Sequence, residues 1–325
     1  KLSDPPTEAV IMSSWVERRD QPLVSVVCIT FNQESYIADA INSFLSQVTH
    51  FPFEVIIHDD VSTDSTKAII ADYASRYPNI IRPIFQTENQ FSQGRQPTFI
   101  AAKMAKGRYV ALCEGDDFWI TTDKLQKQAD YLGANSECSA VTHQTIKFFE
   151  SGAREPEPFS PENKPYWDID DLIFGRKYHT ASIMARVEIF KDTEFPDNVV
   201  SCDKAMSFLF LSYGKIGFLS DVMGVYRKNE GGISAWVTAS HLKGDLNLLP
   251  WLKEIYPGFP VSKYRSIIHG TVCDYPPKIG FVDALKHYTL FVFFSFSYFP
   301  ANLTKIARVT KGLLIRFRRG GFSGL

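Results

Sequence analysis

The sequence predicts an α/β fold, with a mixed sheet flanked by helices and a helical C-terminal extension. Three observations carry this. Short apolar, β-prone runs alternate with amphipathic helical runs through the first 120 residues. Three such runs end in polar or acidic residues. Past about residue 237 the composition turns aromatic and then basic. Strand–helix–strand order implies a parallel sheet with right-handed crossovers.

The elements follow in order. Residues 1–21 read as a polar arm with an amphipathic turn between Ile11 and Trp15. Residues 22–30 form a strand and 31–34 the turn after it. Residues 36–47 have helical spacing, with Ile37, Ala40, Ile41, Phe44 and Leu45 on one face. Residues 53–58 make a second strand ending in Asp59 and Asp60. Ser62 or Asp64 caps the helix that runs through Tyr73. Residues 109–113 are short, apolar and β-prone, so they read as a buried strand. Residues 150–165, rich in Pro, Glu and Ser, read as a surface loop. Residues 204–213 read as a helix opened by Asp203. Residues 215–219 are a strand, and 222–227 a further extended piece.

Glu114, Asp116 and Asp117 directly follow the third strand. Ligands of open α/β sheets bind at the carboxyl ends of the strands. Carboxylates packed together repel one another, and hard divalent ions such as Mn²⁺ or Mg²⁺ take oxygen ligands and bridge to phosphates. A solvated acidic turn is the plainer reading of one such run. The second acidic strand end, at Asp60, places Thr30, Asp60, Asp116 and Asp117 along one sheet edge and favours a single site.

The segments Val24-Ser25-Val26-Val27-Cys28-Ile29-Thr30-Phe31-Asn32, Ile57-His58-Asp59-Asp60-Val61-Ser62-Thr63-Asp64 and Glu114-Gly115-Asp116-Asp117-Phe118-Trp119 resemble glycosyltransferase family 2. The resemblance runs from about Leu23 to Ser234. It implies the GT-A fold, a Rossmann-like mixed sheet, and transfer with inversion at the anomeric carbon. It divides the chain into an arm (1–21), a catalytic domain (22–236, with a nucleotide-sugar half 22–120 and an acceptor half 121–236) and a C-terminal extension (237–325).

The resemblance also implies roles. Thr30 and Asp60 match positions that contact the nucleotide, usually uridine, and Asn32 and Glu34 lie in the same turn region. Asp116 and Asp117 match the motif that touches the ribose and holds the metal; relatives differ in which is the direct ligand. Glu114 stands where Asp is more usual, behind the metal or held by a basic partner. Asn89 and Arg95 lie in or beside a loop that approaches the base. Asp203 matches the catalytic base, with Cys202 where relatives carry Glu or Gly. Arg227 belongs to a loop over the diphosphate. Asn229 occupies a position where relatives have a metal-reaching His. His179, Trp119 and Trp236 fall on the acceptor side, each with structural packing as the alternative role.

Composition narrows the function classes. A net charge of −1 gives no sign of nucleic-acid binding. Five widely spaced cysteines do not form a disulfide framework, which fits a reducing cytosol. No zinc, P-loop or dinucleotide fingerprint is present, and no secretory leader is evident. The uncharged run 288–299 is too short to span a bilayer, which takes about 20 residues. Six basic residues without an acid follow in 301–325. Such a tail suits an anionic membrane surface, a subunit interface or a homo-oligomer. Together with the resemblance, this implies a cytoplasmic enzyme, peripheral on the inner membrane, moving a sugar from a UDP-sugar to a saccharide or lipid-linked saccharide. A nucleotidyltransferase and an inert binding module are the alternatives.

Overall fold

A computed structural model describes residues 4–17, 19–229, 243–274, 281–295, 306–307 and 309–311. The chain divides into two units, Lys1–Asn198 with Met206–Glu230, and Val199–Ala205 with Gly231–Leu325.

The first unit is built on strands β1 Val24–Thr30, β2 Phe53–Asp59, β3 Ile81–Phe85, β4 Tyr109–Glu114, β5 Phe118–Trp119, β6 Cys138–Phe149, β7 Glu157–Pro158, β8 Tyr166–Trp167, β9 Met184–Arg186 and β10 Lys215–Lys228. They form one sheet ordered β3-β2-β1-β4-β9-β6-β10-β5, with β7 on β6 and β8 on β10. The β3-β2-β1-β4 half is parallel. β9 runs antiparallel to both β4 and β6, so the sheet is mixed as expected. Register brings Thr30 beside Asp59 and Ile29 beside Glu114, which aligns the acidic strand ends along one edge.

The strands form because both sheet faces are covered. Val24, Val26, Val27 and Cys28 are buried whichever way they point. Helix α2 (Ile37–Leu45, after α1 Glu8–Ser13) buries Ile37, Ala40, Ile41, Phe44 and Leu45, the face read from spacing. Helix α3 (Thr66–Arg76) starts where the Asp64 carboxylate accepts the Thr66 N–H at 3.0 Å. The N-terminal arm is packed: α1 sets Ile11 in the core and Trp15 lies edge-on to Phe53 at 5.7 Å. Residues 215–228 are one strand rather than two pieces, with register shifts between Leu219, Val222 and Gly224. Such shifts twist a strand and re-aim its side chains without ending it. Helices α4 Pro97–Lys103, α5 Lys124–Ala134, α6 Ile169–Leu172 and α7 Glu188–Lys191 complete the unit, and α8 Cys202–Tyr213 is shared with the second.

The second unit contains α9 Leu249–Ile255, α10 Val261–Asp274 and α11 Phe281–Ser295. Among the described residues, no helix is long and apolar enough to cross a membrane. All five cysteines are free thiols. α10 and α11 meet through Ser266 and Ser295 (2.8 Å between hydroxyls) and through His269 Nδ1 and His287 Nδ1, also 2.8 Å apart. Burial, then His287 and Arg265, pushes His269 down to about 4. Burial and Lys243 lower His287, opposed by Asp283. Folded pKa values below the unfolded value mean that the unfolded chain takes up protons first. Stability is therefore present above about pH 6.5 and is lost as pH falls toward 4. Melting between pH 7 and pH 5 should show a loss of about 1–2 kcal/mol that His269→Gln reduces. An identical loss in that variant would remove the pair as its source.

Candidate active site

The centre of the sheet edge is the turn after β4. A Cβ on Gly115 would sit 2.6 Å from Gln33 Oε1 and 2.9 Å from Thr30 Oγ1, so a larger residue there would push this hydrogen-bonded pair aside. Thr30 is buried there and its hydroxyl donates to Gln33 Oε1 at 2.8 Å.

Asp117 is buried. Its Oδ1 accepts the Arg227 backbone N–H at 2.8 Å, and its Oδ2 lies 3.4 Å from His179 Nδ1. Asp116 is half-buried and accepts Asn229 Nδ2 at 3.2 Å. Glu114 Oε2 is buried with no hydrogen-bond partner. Burial, then the neighbouring Asp116, raises Glu114 to about 7. Burial raises Asp116, and burial with Asp116 and Glu114 raises Asp117 well above the carboxylate range. His179 is held well below its usual value by burial, then by Arg176 and Lys228, so its imidazole is neutral. Its Nδ1 accepts the Ala181 N–H at 3.3 Å, so that nitrogen carries no proton.

These features fit a divalent cation. Ligand atoms of Glu114, Asp117 and His179 lie within 4.8 Å of one another. Two carboxylates and a neutral imidazole are a donor set for Mn²⁺ or Mg²⁺. The buried Glu114 oxygen without a partner, next to Asp117 and His179, is a place for positive charge. Until it arrives, the raised Glu114 pKa contributes stability below about pH 4.5 that is lost as pH rises through 7. Glu114→Gln should therefore raise the melting temperature of the metal-free protein at pH 8 and lose most of that advantage at pH 5. A lower melting temperature at pH 8 would contradict the burial of an uncompensated charge.

The neighbouring turns are stitched to each other. Asn32, at φ 53, accepts the Thr63 N–H at 2.7 Å and donates its own N–H to Ser62 Oγ at 2.8 Å. Glu34 accepts the Ser65 N–H at 2.8 Å and donates its backbone N–H to Asp64 at 3.0 Å. Val61 takes φ 70, a costly conformation for a β-branched residue that marks this turn as strained. Asp60 accepts the Gln90 and Phe91 N–H groups at 2.7 and 3.0 Å. Asn89 Nδ2 donates to the Asp60 carbonyl at 2.8 Å, and Arg95 to Gln90 Oε1 at 2.9 Å. Asp60, Asn89 and Arg95 thus belong to one hydrogen-bonded loop anchor.

Arg227 is buried between the rings of Tyr36 and Phe118, each 4.9 Å from its Cζ, and pairs with Asp39 at 3.1 Å. Trp119 is a correction. It is buried in the core, with its indole N–H on the Ala181 carbonyl (2.8 Å), its ring 4.7 Å from Phe44 and the Lys124 ammonium 3.8 Å from its centre. A ring so covered does not serve as an acceptor platform. Trp236 lies outside the described residues. Asp203 opens α8 within the second unit, its Oδ1 accepting the Lys204 N–H at 2.8 Å. His179 and Glu114, assigned elsewhere by sequence, join Asp117. No sequence spacing links His179 to the acids; strand order alone does.

A family model described as glycosyl transferase family 2 matches residues 25–191. The chain belongs to that family. An uncharacterized protein of Mycobacterium tuberculosis is 38% identical over 65% of this chain, and the chain spans 60% of that relative's length. TuaG of Bacillus subtilis, named for teichuronic acid biosynthesis, is 28% identical over 69% of this chain and 84% of its own. TarS of Staphylococcus aureus bound to UDP has the same fold, at TM-score 0.56 and 18% identity over 92% of each chain. So does a Pyrobaculum calidifontis mannosyltransferase bound to GDP-mannose and Mn²⁺, at TM-score 0.51 and 16% identity, covering 95% of this chain and 92% of its own. The mixed sheet flanked by helices is therefore the GT-A fold.

Proposed function

We propose that this glycosyl transferase family 2 member is an inverting, metal-dependent enzyme. It moves a sugar from a UDP-sugar to a saccharide acceptor, a polyprenyl-diphosphate-linked glycan in bacterial surface polysaccharide synthesis. The observation that carries the reading is the Glu114, Asp117 and His179 cluster at the carboxyl edge, beside Asp116, with its unpartnered Glu114 oxygen and neutral imidazole. TuaG is named for teichuronic acid biosynthesis and TarS as a poly(ribitol-phosphate) β-N-acetylglucosaminyltransferase, which supports a bacterial polymer as the acceptor.

Each residue has a task. The loop tied by Asp60, Asn89 and Arg95 frames the nucleotide base. Asp116 and Asp117, with Glu114 and His179 beside them, would hold a divalent cation, which would supply Lewis-acid neutralisation of the diphosphate. Arg227, fixed between two rings, holds its backbone N–H on Asp117 and so keeps that carboxylate aimed. Asp203 accepts the proton of the acceptor hydroxyl as it attacks the face opposite the leaving diphosphate. One displacement inverts the centre, and no sugar–enzyme bond forms. The enzyme works at the cytoplasmic face of the inner membrane, where lipid-linked glycans are extended; the aromatic and basic C-terminal run supports that placement. Most of that run lies outside the described residues.

Following UDP release and product configuration by NMR with UDP-sugars and GDP-mannose tests the reading. Release of UDP with an inverted linkage is expected. Retained configuration, or turnover of GDP-mannose alone, would contradict it.

A further inference from the structure

Next to the acidic cluster lies a group of cations that the steps above do not use. Tyr226 stacks on His179 at 4.0 Å and 17°, and Phe159 packs against both rings at 6.1 and 5.6 Å. Lys147 lies 5.1 Å from the Phe159 ring centre. Arg176 lies 5.4 Å from Phe159 and 6.0 Å from Tyr226, and Lys228 is 5.4 Å from Tyr226. Two touching rings thus gather three cations. Glu157, 3.2 Å from Lys147, is the carboxylate paired with that lysine. Like charges separate in water unless something holds them, and aromatic faces do so by cation–π attraction. Arg176 is exposed, and Lys147 and Lys228 are half-buried, so the group faces solvent.

It lies beside the acids, on their His179 face. Lys147 is on β6, Lys228 and Tyr226 are on β10, and Phe159 follows β7. β9 pairs with β6 at Ala140 and Val141, so Lys147 lies beyond that pairing. His179 touches Asp117 on one side and Tyr226 on the other, and the cations adjoin the acids through that ring. A planar guanidinium flanked by ammonium groups matches carboxylate and phosphate oxygens.

We propose that Arg176, Lys147 and Lys228, held on Phe159 and Tyr226, form a subsite that selects an anionic acceptor, a saccharide bearing carboxylate or phosphate groups. It rests on the glycosyl-transfer reading and narrows its acceptor. The neighbouring diphosphate of the donor and the diphosphate of a lipid carrier are the competing sources of negative charge.

Titration of the full chain with an oligogalacturonate tetramer, maltotetraose, geranyl diphosphate and UDP separates these sources. The tetragalacturonate should bind at least tenfold more tightly than maltotetraose and lose that advantage with added salt. Arg176→Glu should abolish the preference, Arg176→Lys should keep most of it, and both should bind UDP within twofold of wild type. Equal binding of the two tetrasaccharides by wild type would overturn the assignment. So would a preference for geranyl diphosphate, or loss of UDP affinity in Arg176→Glu. Absence of UDP binding by wild type sinks the donor reading instead, and the tetrasaccharide titrations still read the subsite without it.

Discussion

Replacing Asp203 with asparagine is expected to lower sugar transfer by about 10²–10⁴-fold, the usual contribution of a positioned general base. UDP affinity should stay within twofold of wild type. The amide is nearly the same size and keeps an oxygen where the Lys204 N–H donates, so the first turn of α8 is preserved. What it loses is basicity. An acceptor hydroxyl near neutral pH must give up its proton as it attacks, and asparagine does not take it. Steady-state rates with a fixed acceptor, beside UDP titration of the same variant, separate the two quantities. A rate near wild type would show that another group takes the proton. A parallel fall in UDP affinity would move Asp203 to the donor side.

The second large effect is expected at Asp116. Asp116→Ala should remove metal-dependent UDP binding and lower turnover by at least about 10²-fold, since a cation on the diphosphate offsets several kcal/mol of developing charge. Asp116 is a cleaner probe than Asp117. The Asp117 oxygens also hold the Arg227 backbone N–H and face His179, so Asp117→Ala releases β10 from the turn after β4 and strips a buried group of its partner. Asp116 is bonded by the side chains of Asn229 and Gln33 and is less buried than Asp117. Asn229→Ala is therefore the control, with metal dependence kept. Metal-independent UDP binding equal in wild type and Asp116→Ala would contradict the role of this carboxylate.

Much of the nucleotide half was legible from residue order. Apolar runs with polar or acidic ends gave β1, β2 and β4, because both faces of a parallel sheet are buried and the strands read as unbroken apolar segments. The α2 face followed from helical spacing, since one side of that helix must meet the sheet. Local signals say less about partners far along the chain. His179 reaches Asp117 because β9, just after it, inserts antiparallel between β4 and β6; nothing in residues 178–184 announces that neighbour. Trp119 misled for a related reason. Its position after the acidic motif suggested the site rim, but β5 pairs with β10 at the far edge of the strand order, and the ring turns inward onto Phe44. The single strand β10 hid behind its own bulge, where Ser220 and Asp221 interrupt the apolar run.

The most direct test of the central claim is calorimetric titration of UDP and GDP into the wild-type chain, with and without Mn²⁺. UDP binding that strengthens at least tenfold with Mn²⁺, with GDP weaker throughout, is the expected result. Failure of both nucleotides to bind under either condition would contradict a donor site at this sheet edge and leave a family member that binds without transferring.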